Sequence, residues 1–153
     1  MHEKASSMRR LSVNYNDWLA MQRHVESKYP LEACGMVGAQ AGLVKRVIPI
    51  ENVLLSNRRY KMHPAEQVKA VFDLEHEGLD LAAIYHSHPD GSTEPSAIDV
   101  SEWNYKEALC LIWSKQAGSW ICSAYKLDHK TFVSVKLEII PYNRSPAAAE
   151  IEK

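Results

Sequence analysis

Short apolar runs alternate along the chain with segments whose apolar residues recur at helical spacing. The runs are bounded by Gly, Pro, Asn or Asp, which is typical of strands. They predict strands near residues 11–13 and over residues 32–39, 43–50, 79–85, 109–114, 120–127 and 131–139. Gln40, Ala41 and Gly42 separate the second strand from the third, and this turn sequence predicts a hairpin.

Two segments between these strands have the spacing and the end signals of helices. The first is predicted to begin at Asn16 or Asp17, because either side chain can cap a helix, and to stop before Pro30. The second opens at the His-Pro pair of residues 63–64 and ends at Gly78. Proline is well tolerated in the first helical turn, and glycine is common just after the last.

A third helix is predicted to begin at Ser96 and to carry Ile98, Val100, Trp103 and Ala108. Helices interspersed with strands indicate an α/β fold with one mixed central sheet and flanking helices. The length of 153 residues is enough for one domain with a buried core. We expect that domain over residues 11–142, with a flexible leader at residues 1–10 and a tail at residues 143–153.

Composition and charge narrow the possible partners. The formal net charge is −1, and basic residues form no run longer than a pair, such as Arg9-Arg10 and Arg58-Arg59, which argues against nucleic acid as the main partner. We expect no membrane-spanning segment, because no apolar run is long enough, and no secretion signal, because the first residues lack an apolar core. Three cysteines without a close pair predict buried free thiols and a cytoplasmic location: Cys34, Cys110 and Cys122.

The most informative stretch follows the strand that ends near Tyr85. His86 and His88 are two residues apart, so on a strand they project from the same face. A loop rich in Pro and Gly then leads to Ser96 and Asp99. Two imidazoles and a carboxylate with an open fourth position are the ligand set of a catalytic zinc ion, so we expect His86, His88 and Asp99 to bind Zn²⁺.

Each of these residues also has a simpler interpretation. A buried histidine is more often part of the core than a ligand, and Ser96 with Asp99 has the spacing of a capping box. Asp90 and Glu94 are rival carboxylates, although their loop favours exposure to solvent. A zinc hydrolase also needs a base, and the best candidate is Glu32, although a glutamate after a helix is usually exposed.

Taken together, these residues resemble the JAMM (MPN+) motif of zinc metalloproteases. That motif is Glu, a long gap, His-Ser/Thr-His, seven residues, Ser, two residues and Asp, and each position is filled here. The flanks, Pro-Leu-Glu-Ala-Cys-Gly at residues 30–35 and Ile-Tyr-His-Ser-His-Pro at residues 84–89, resemble compact prokaryotic members. The resemblance extends over about residues 11–140.

The resemblance implies a single MPN domain with an architecture related to that of cytidine deaminases. His86, His88 and Asp99 would bind one zinc ion per chain, Glu32 would be general base and then general acid, and Ser96 would stabilise the oxyanion. The enzyme would cut an isopeptide or peptide bond at the C-terminus of a ubiquitin-like or sulfur-carrier protein. Segments that carry insertions in specialised eukaryotic members are short here, which favours a compact bacterial or archaeal enzyme.

Three other functions compete with this one. A zinc deaminase is rejected, because it needs His-x-Glu and Pro-Cys-x-x-Cys and the chain has neither. A non-catalytic MPN scaffold is disfavoured because the whole motif is present. A DNA-repair-associated JAMM-like protein would need a helical DNA-binding part, which the sequence does not indicate. Three aromatic residues are candidates for lining a substrate groove: Tyr60, His63 and Trp103.

Overall fold

The computed structural model describes residues 10–141, and these form seven strands and three helices. The strands are β1 (Arg10–Asn14), β2 (Cys34–Gln40), β3 (Leu43–Ile50), β4 (Asp80–His88), β5 (Leu109–Gln116), β6 (Ser119–Asp128) and β7 (Thr131–Ile140). The helices are α1 (Tyr15–Lys28), α2 (Pro64–His76) and α3 (Ala97–Ser101). The predicted leader and tail lie outside the described residues, except Arg10, which begins β1.

All seven strands belong to one mixed sheet. Their order is β1-β3-β2-β4-β5-β6-β7, and β1 also pairs with β7, so the sheet closes on itself. The central strand β4 runs antiparallel to β2 and parallel to β5. Helices flank this sheet, so the predicted α/β class is confirmed, and β2 and β3 form the predicted hairpin.

Two helices differ from the prediction. Helix α1 begins at Tyr15 directly after β1, so Asp17 lies in the first turn rather than at the cap. Its carboxylate there interacts favourably with the positive end of the helix dipole. Helix α3 ends at Ser101 and does not carry Trp103 or Ala108. The apolar residues of that segment are spaced by two, three and five positions, and such spacing does not form one helical face.

From Ala83 onward, after the register shift against β2, the side chains of β4 alternate between the two sides of the sheet, each of which has a buried cluster. Ala83 and Tyr85 belong to the larger cluster, which also includes the α1 residues Met21 and Val25. Ile84 belongs to the smaller cluster, which includes Ala70 of α2. Because side chains alternate along a strand, His86 and His88 project on the side of Ile84, toward α2 and the segment that follows β3.

The cysteines are all unpaired, as predicted, but they are not equally buried. Cys34 and Cys110 are buried, whereas Cys122 is only partly buried, which corrects the prediction of three buried thiols. Cys122 lies on β6 and packs against the edge of the larger buried cluster. Within residues 10–141, no helix has the length and apolar character needed to span a membrane.

Gly35 is required by close packing between the two central strands. It pairs with Tyr85, and a Cβ atom at residue 35 would lie 2.3 Å from Cε1 of that fully buried ring. The ring has no free space to move into, because it packs in the larger cluster and its hydroxyl hydrogen-bonds Nδ1 of His24 at 2.7 Å. A side chain at residue 35 therefore forces a shift of the core.

We expect Gly35→Ala to lower the free energy of unfolding by about 1–3 kcal/mol, the usual cost of overpacking a core. Urea denaturation followed by circular dichroism measures this loss. Gly42→Ala is the control, because a Cβ atom there meets nothing within 4 Å although its φ of +78° also disfavours a side chain. A loss for Gly35→Ala no larger than that of Gly42→Ala would contradict the packing argument.

Candidate functional site

The two histidines of β4 lie side by side in the interior, as the strand spacing predicts. His86 is fully buried and His88 is 5% exposed, and their Nε2 atoms are 3.1 Å apart. Tyr60 stacks on the ring of His86 with a centroid distance of 4.6 Å. The histidine pair is therefore held by the strand and by packing, with both Nε2 atoms directed to one point.

Asp99 reaches the same point from the first turn of α3. Its Oδ2 atom accepts a hydrogen bond from the backbone N–H of Ser96 at 2.8 Å, and its own N–H donates to Oγ of Ser96 at 3.0 Å. The capping box is therefore present. The same Oδ2 atom lies 3.1 Å from Nε2 of His86 and 3.0 Å from Nε2 of His88, so the cap orients the carboxylate toward the histidines.

The geometry of these three donor atoms fits a zinc ion. Ligand atoms around a tetrahedral zinc with bonds of about 2.0–2.1 Å are separated by roughly 3.3 Å. Here the three separations are 3.0, 3.1 and 3.1 Å. Each Nε2–H points in one direction only. Hydrogen bonds alone therefore do not account for the close approach of all three atoms to one another, whereas one central cation does. Among residues 10–141, this is the one group of three close metal-ligating side chains.

The protonation states also suit a cation. Burial alone would raise the pKa of Asp99, but hydrogen bonds from His86 and His88 hold it well below its usual range. Burial lowers the pKa of His86, with Asp99 opposing that effect, so this ring is neutral near pH 7. Metal ligands must be deprotonated, and these two groups already are. Burial lowers the pKa of His88, but the hydrogen bond and charge of Asp99 outweigh this and raise it, so a cation would displace a proton from that ring.

Glu32 is brought to the cluster by the pairing of β2 with β4. Cys34 pairs with His86, and Ala33 and Ser87 hydrogen-bond each other: the Ala33 N–H donates to Oγ of Ser87 at 2.8 Å, and the Ser87 N–H donates to the Ala33 carbonyl at 3.0 Å. Continuing this register by one residue places Glu32 beside His88. The position expected for a base is therefore set by the strand pairing.

The Glu32 carboxylate is buried, which contradicts the alternative of an ordinary exposed glutamate. The residue is 4% exposed, and its Oε1 atom has no hydrogen-bond partner. Burial raises the pKa of Glu32 to about 8, while the charge of His88 lowers it and that of Asp99 raises it. A cation at the neighbouring cluster would lower this pKa toward neutrality, because an opposite charge favours the carboxylate, and a carboxyl group in that range both accepts and releases a proton.

Glu32 and His88 share a cleft of about 560 Å³ with Ser96. The Ser96 hydroxyl oxygen accepts the Asp99 N–H bond of the capping box, so its hydrogen is not used in that bond and can point into the cleft. Asp90 lines the same cleft but is exposed, and Glu94 is exposed too. Neither belongs to the cluster of donor atoms, so Asp99 is the carboxylate that joins the histidines.

A second cleft, of about 530 Å³, lies on the Asp99 side of the cluster. Tyr60 and Trp103 line it, and both also pack against the smaller buried cluster, the position that we favour for the tryptophan. Their place in a substrate groove stays a prediction. His63 has a different position: its Nδ1 accepts the N–H of Glu66 at 3.3 Å and so caps α2. Arg59 and Glu102 line this cleft and form an ion pair at 3.3 Å.

Sequence reasoning missed two residues that fix Glu32 in place. Ser87 projects away from the histidines and bonds the backbone at Ala33. Asn52 is buried, and its Nδ2 donates to the Glu32 carbonyl at 3.0 Å and to the Arg59 carbonyl at 3.1 Å. The place of Ser87 between two histidines is the one feature of the sequence that could have indicated its role. Asn52 also accepts the N–H of Leu54, a turn contact common to many asparagines, but no local pattern indicates its bonds to the Glu32 and Arg59 carbonyls.

Comparison with known proteins identifies relatives of this chain. The family described as prokaryotic homologs of the JAB domain (Prok-JAB) matches residues 16–127. A probable TtuB-protein conjugate cleaving protease from Thermus thermophilus is 40% identical over 84 residues, which cover 54% of this chain and 56% of that protein. A desampylase from Pyrococcus furiosus is 31% identical over 101 residues, which cover 65% of this chain and 72% of that protein.

A solved structure supports the fold. A JAB1/MPN domain protein from Archaeoglobus fulgidus has a TM-score of 0.56 at 16% identity, with 85% of this chain and 96% of that chain covered. This likeness confirms the predicted MPN-type α/β fold. The chain spans little more than half the length of the Thermus relative, 56%.

Proposed function

The chain belongs to the family of prokaryotic homologs of the JAB domain, and we propose that it is a zinc-dependent protease that cuts an amide bond at the C-terminus of a ubiquitin-like protein. One observation carries this proposal: the buried Glu32 carboxylate, with one oxygen free of hydrogen bonds, lies in the same cleft as His88 and Ser96. A structural glutamate would be exposed or paired, because an unpaired buried carboxylate destabilises the fold.

In the proposed mechanism, His86, His88 and Asp99 hold one zinc ion per chain. When bound, zinc supplies Lewis acidity that lowers the pKa of a water molecule to about 7. Glu32 accepts the proton that the attacking water loses and returns it to the nitrogen of the leaving amine. The Ser96 hydroxyl donates a hydrogen bond to the oxygen of the cleaved carbonyl, on which negative charge develops.

The substrate class rests on the relatives. The Thermus protein is described as cleaving TtuB-protein conjugates, and the Pyrococcus protein as a desampylase. By analogy, we propose a ubiquitin-like protein as the acyl part of the substrate, joined either to a lysine side chain or, as in a sulfur-carrier protein, to a single amino acid. We place the enzyme in the cytoplasm, where its unpaired cysteines would stay reduced.

The second candidate function is a non-catalytic MPN interaction scaffold. A scaffold has no need for three converging ligands or for a buried base. Bound zinc therefore separates the two functions, since a scaffold predicts none. The complete donor set, with separations of 3.0–3.1 Å, favours the protease.

A cleavage assay tests the proposed function and its linkage. The zinc-loaded protein is incubated with three substrates: a linear ubiquitin-like fusion, an isopeptide-linked conjugate, and a sulfur-carrier protein that bears a C-terminal amino acid. Mass spectrometry should show release at the ubiquitin-like C-terminus of at least one of them. Failure to bind zinc, together with no cleavage of any of the three substrates, would favour the scaffold.

A further inference from the structure

The loop between β4 and α3 is held by side chains of the hairpin formed by β5 and β6. Three consecutive backbone carbonyls, at residues 91–93, each accept a hydrogen bond. Gln116 Nε2 donates to the Gly91 carbonyl at 2.6 Å, Ser114 Oγ donates to that of Ser92, and the Tyr125 hydroxyl donates to that of Thr93 at 2.6 Å. This loop connects the histidines to Asp99, so its position affects both sides of the cluster.

The middle carbonyl of the three has a second partner. His88 Nδ1 lies 3.1 Å from the Ser92 oxygen, and since a carbonyl only accepts, the imidazole donates. In the neutral ring that a metal requires, the proton on Nδ1 leaves the lone pair of His88 on Nε2, which is the atom directed at His86 and Asp99. The Ser92 carbonyl therefore selects the tautomer that can bind a metal.

The Ser114 side chain is well placed to hold that carbonyl. It is fully buried and pairs with His88 in the parallel register of β4 and β5. Leaving a buried hydroxyl without a partner is costly, so the bond to Ser92 is strongly favoured. By contrast, the Nδ1 atom of His86 is buried and has no hydrogen-bond partner. Of the two histidines, His88 is therefore the one whose orientation depends on a neighbouring loop.

We propose that Ser114 is a positioning residue that sets the zinc affinity of the site by holding the Ser92 carbonyl against Nδ1 of His88. This inference rests on the proposed function only in that it takes the cluster to be a zinc site. Ser114 has no contact with the reacting atoms. It acts through the Ser92 backbone and then through the His88 ring.

The test measures the zinc dissociation constant of Ser114→Ala by competition with a chromogenic chelator. Loss of the direct hydrogen-bond partner of a metal-bound histidine typically weakens affinity about 10–100-fold. Ser114 acts through that partner, so we expect a loss of about tenfold, the lower end of the range. The matched control is Gln116→Ala, which frees the neighbouring Gly91 carbonyl and leaves Ser92 held, so its dissociation constant should stay within about threefold of the wild type. Equal constants for Ser114→Ala and the wild type would overturn the inference.

A second measurement does not depend on the stability of the variant. In the zinc-loaded wild-type protein, the His88 Nδ1 proton should exchange slowly with water in NMR spectra, because it is bonded to a carbonyl that is itself held. Rapid exchange in the wild type would overturn the inference even if Ser114→Ala fails to fold. If the wild-type protein binds no zinc, the proposed function is wrong. If the wild type binds zinc and cleaves its substrate while Ser114→Ala has the same zinc affinity, only the inference about Ser114 is wrong.

Discussion

Replacing Glu32 with glutamine should lower kcat by a factor of about 100 to 10,000, the usual contribution of a general acid or base. Glutamine has nearly the same shape as glutamate, but its amide does not accept a proton at neutral pH. Glu32 is not among the three converging donors, so zinc should stay bound. The experiment combines a cleavage assay with metal analysis of the same sample.

The control for this variant is Glu94→Gln. Glu94 lies on the loop after His88 and is exposed, so the same chemical change there should leave kcat within about twofold. Full activity of Glu32→Gln with zinc bound would remove Glu32 from the proton transfer. Loss of zinc from that variant would instead show that its carboxylate contributes to the metal site.

Replacing Asp99 with asparagine should remove zinc and, with it, activity. The substitution keeps the shape of the side chain, and its Oδ atom can still accept the Ser96 N–H that caps α3. It removes the negative charge that faces two imidazoles at 3.0 and 3.1 Å. Mutation of a residue that only orients a metal ligand typically weakens metal affinity about 10–100-fold. Loss of the charge of a ligand itself should therefore weaken zinc binding at least about a hundredfold.

Asp90→Asn provides the matched control for Asp99→Asn. Asp90 lines the cleft beside His88, and its Oδ1 accepts the Ser92 N–H at 3.0 Å, a bond that asparagine can also accept. It is not part of the donor cluster, so zinc affinity should change less than about threefold. Titration with a chelator measures both variants. Comparable losses of affinity in the two would mean that general negative charge, rather than Asp99 as a ligand, holds the ion.

The cluster of His86, His88 and Asp99 was predictable from the sequence because its geometry is local. The spacing of His86 and His88 on one strand fixes their common face, and the capping box fixes the direction of Asp99. The capping box predicted from Ser96 and Asp99 is confirmed, and it directs the Asp99 carboxylate toward the histidines. The role of Asp99 as a zinc ligand is compatible with the cap and stays a prediction. Glu32 lies more than fifty residues upstream, and its place beside His88 depends on the register of β2 against β4.

Other features depend on contacts between distant segments, which local patterns do not encode. The closure of the sheet joins β1 to β7, and alternation within each strand says nothing about the identity of its partner. The hydrogen bonds of Asn52 and Ser114 likewise arise from pairing registers and loop paths. After Ser101, Trp103 and Ala108 pack at the smaller cluster without being part of a helix. Their apolar character alone therefore predicts a helix that does not form.

Zinc-dependent cleavage of a ubiquitin-like conjugate tests the central claim most directly. The protein is stripped with a chelator, dialysed, and assayed by mass spectrometry before and after addition of one equivalent of zinc. The proposed mechanism predicts no cleavage by the stripped protein and full recovery with zinc, with the break at the C-terminal carboxyl of the ubiquitin-like protein. Cleavage that continues at the same rate in the stripped protein, or its absence in the zinc-loaded one, would contradict it.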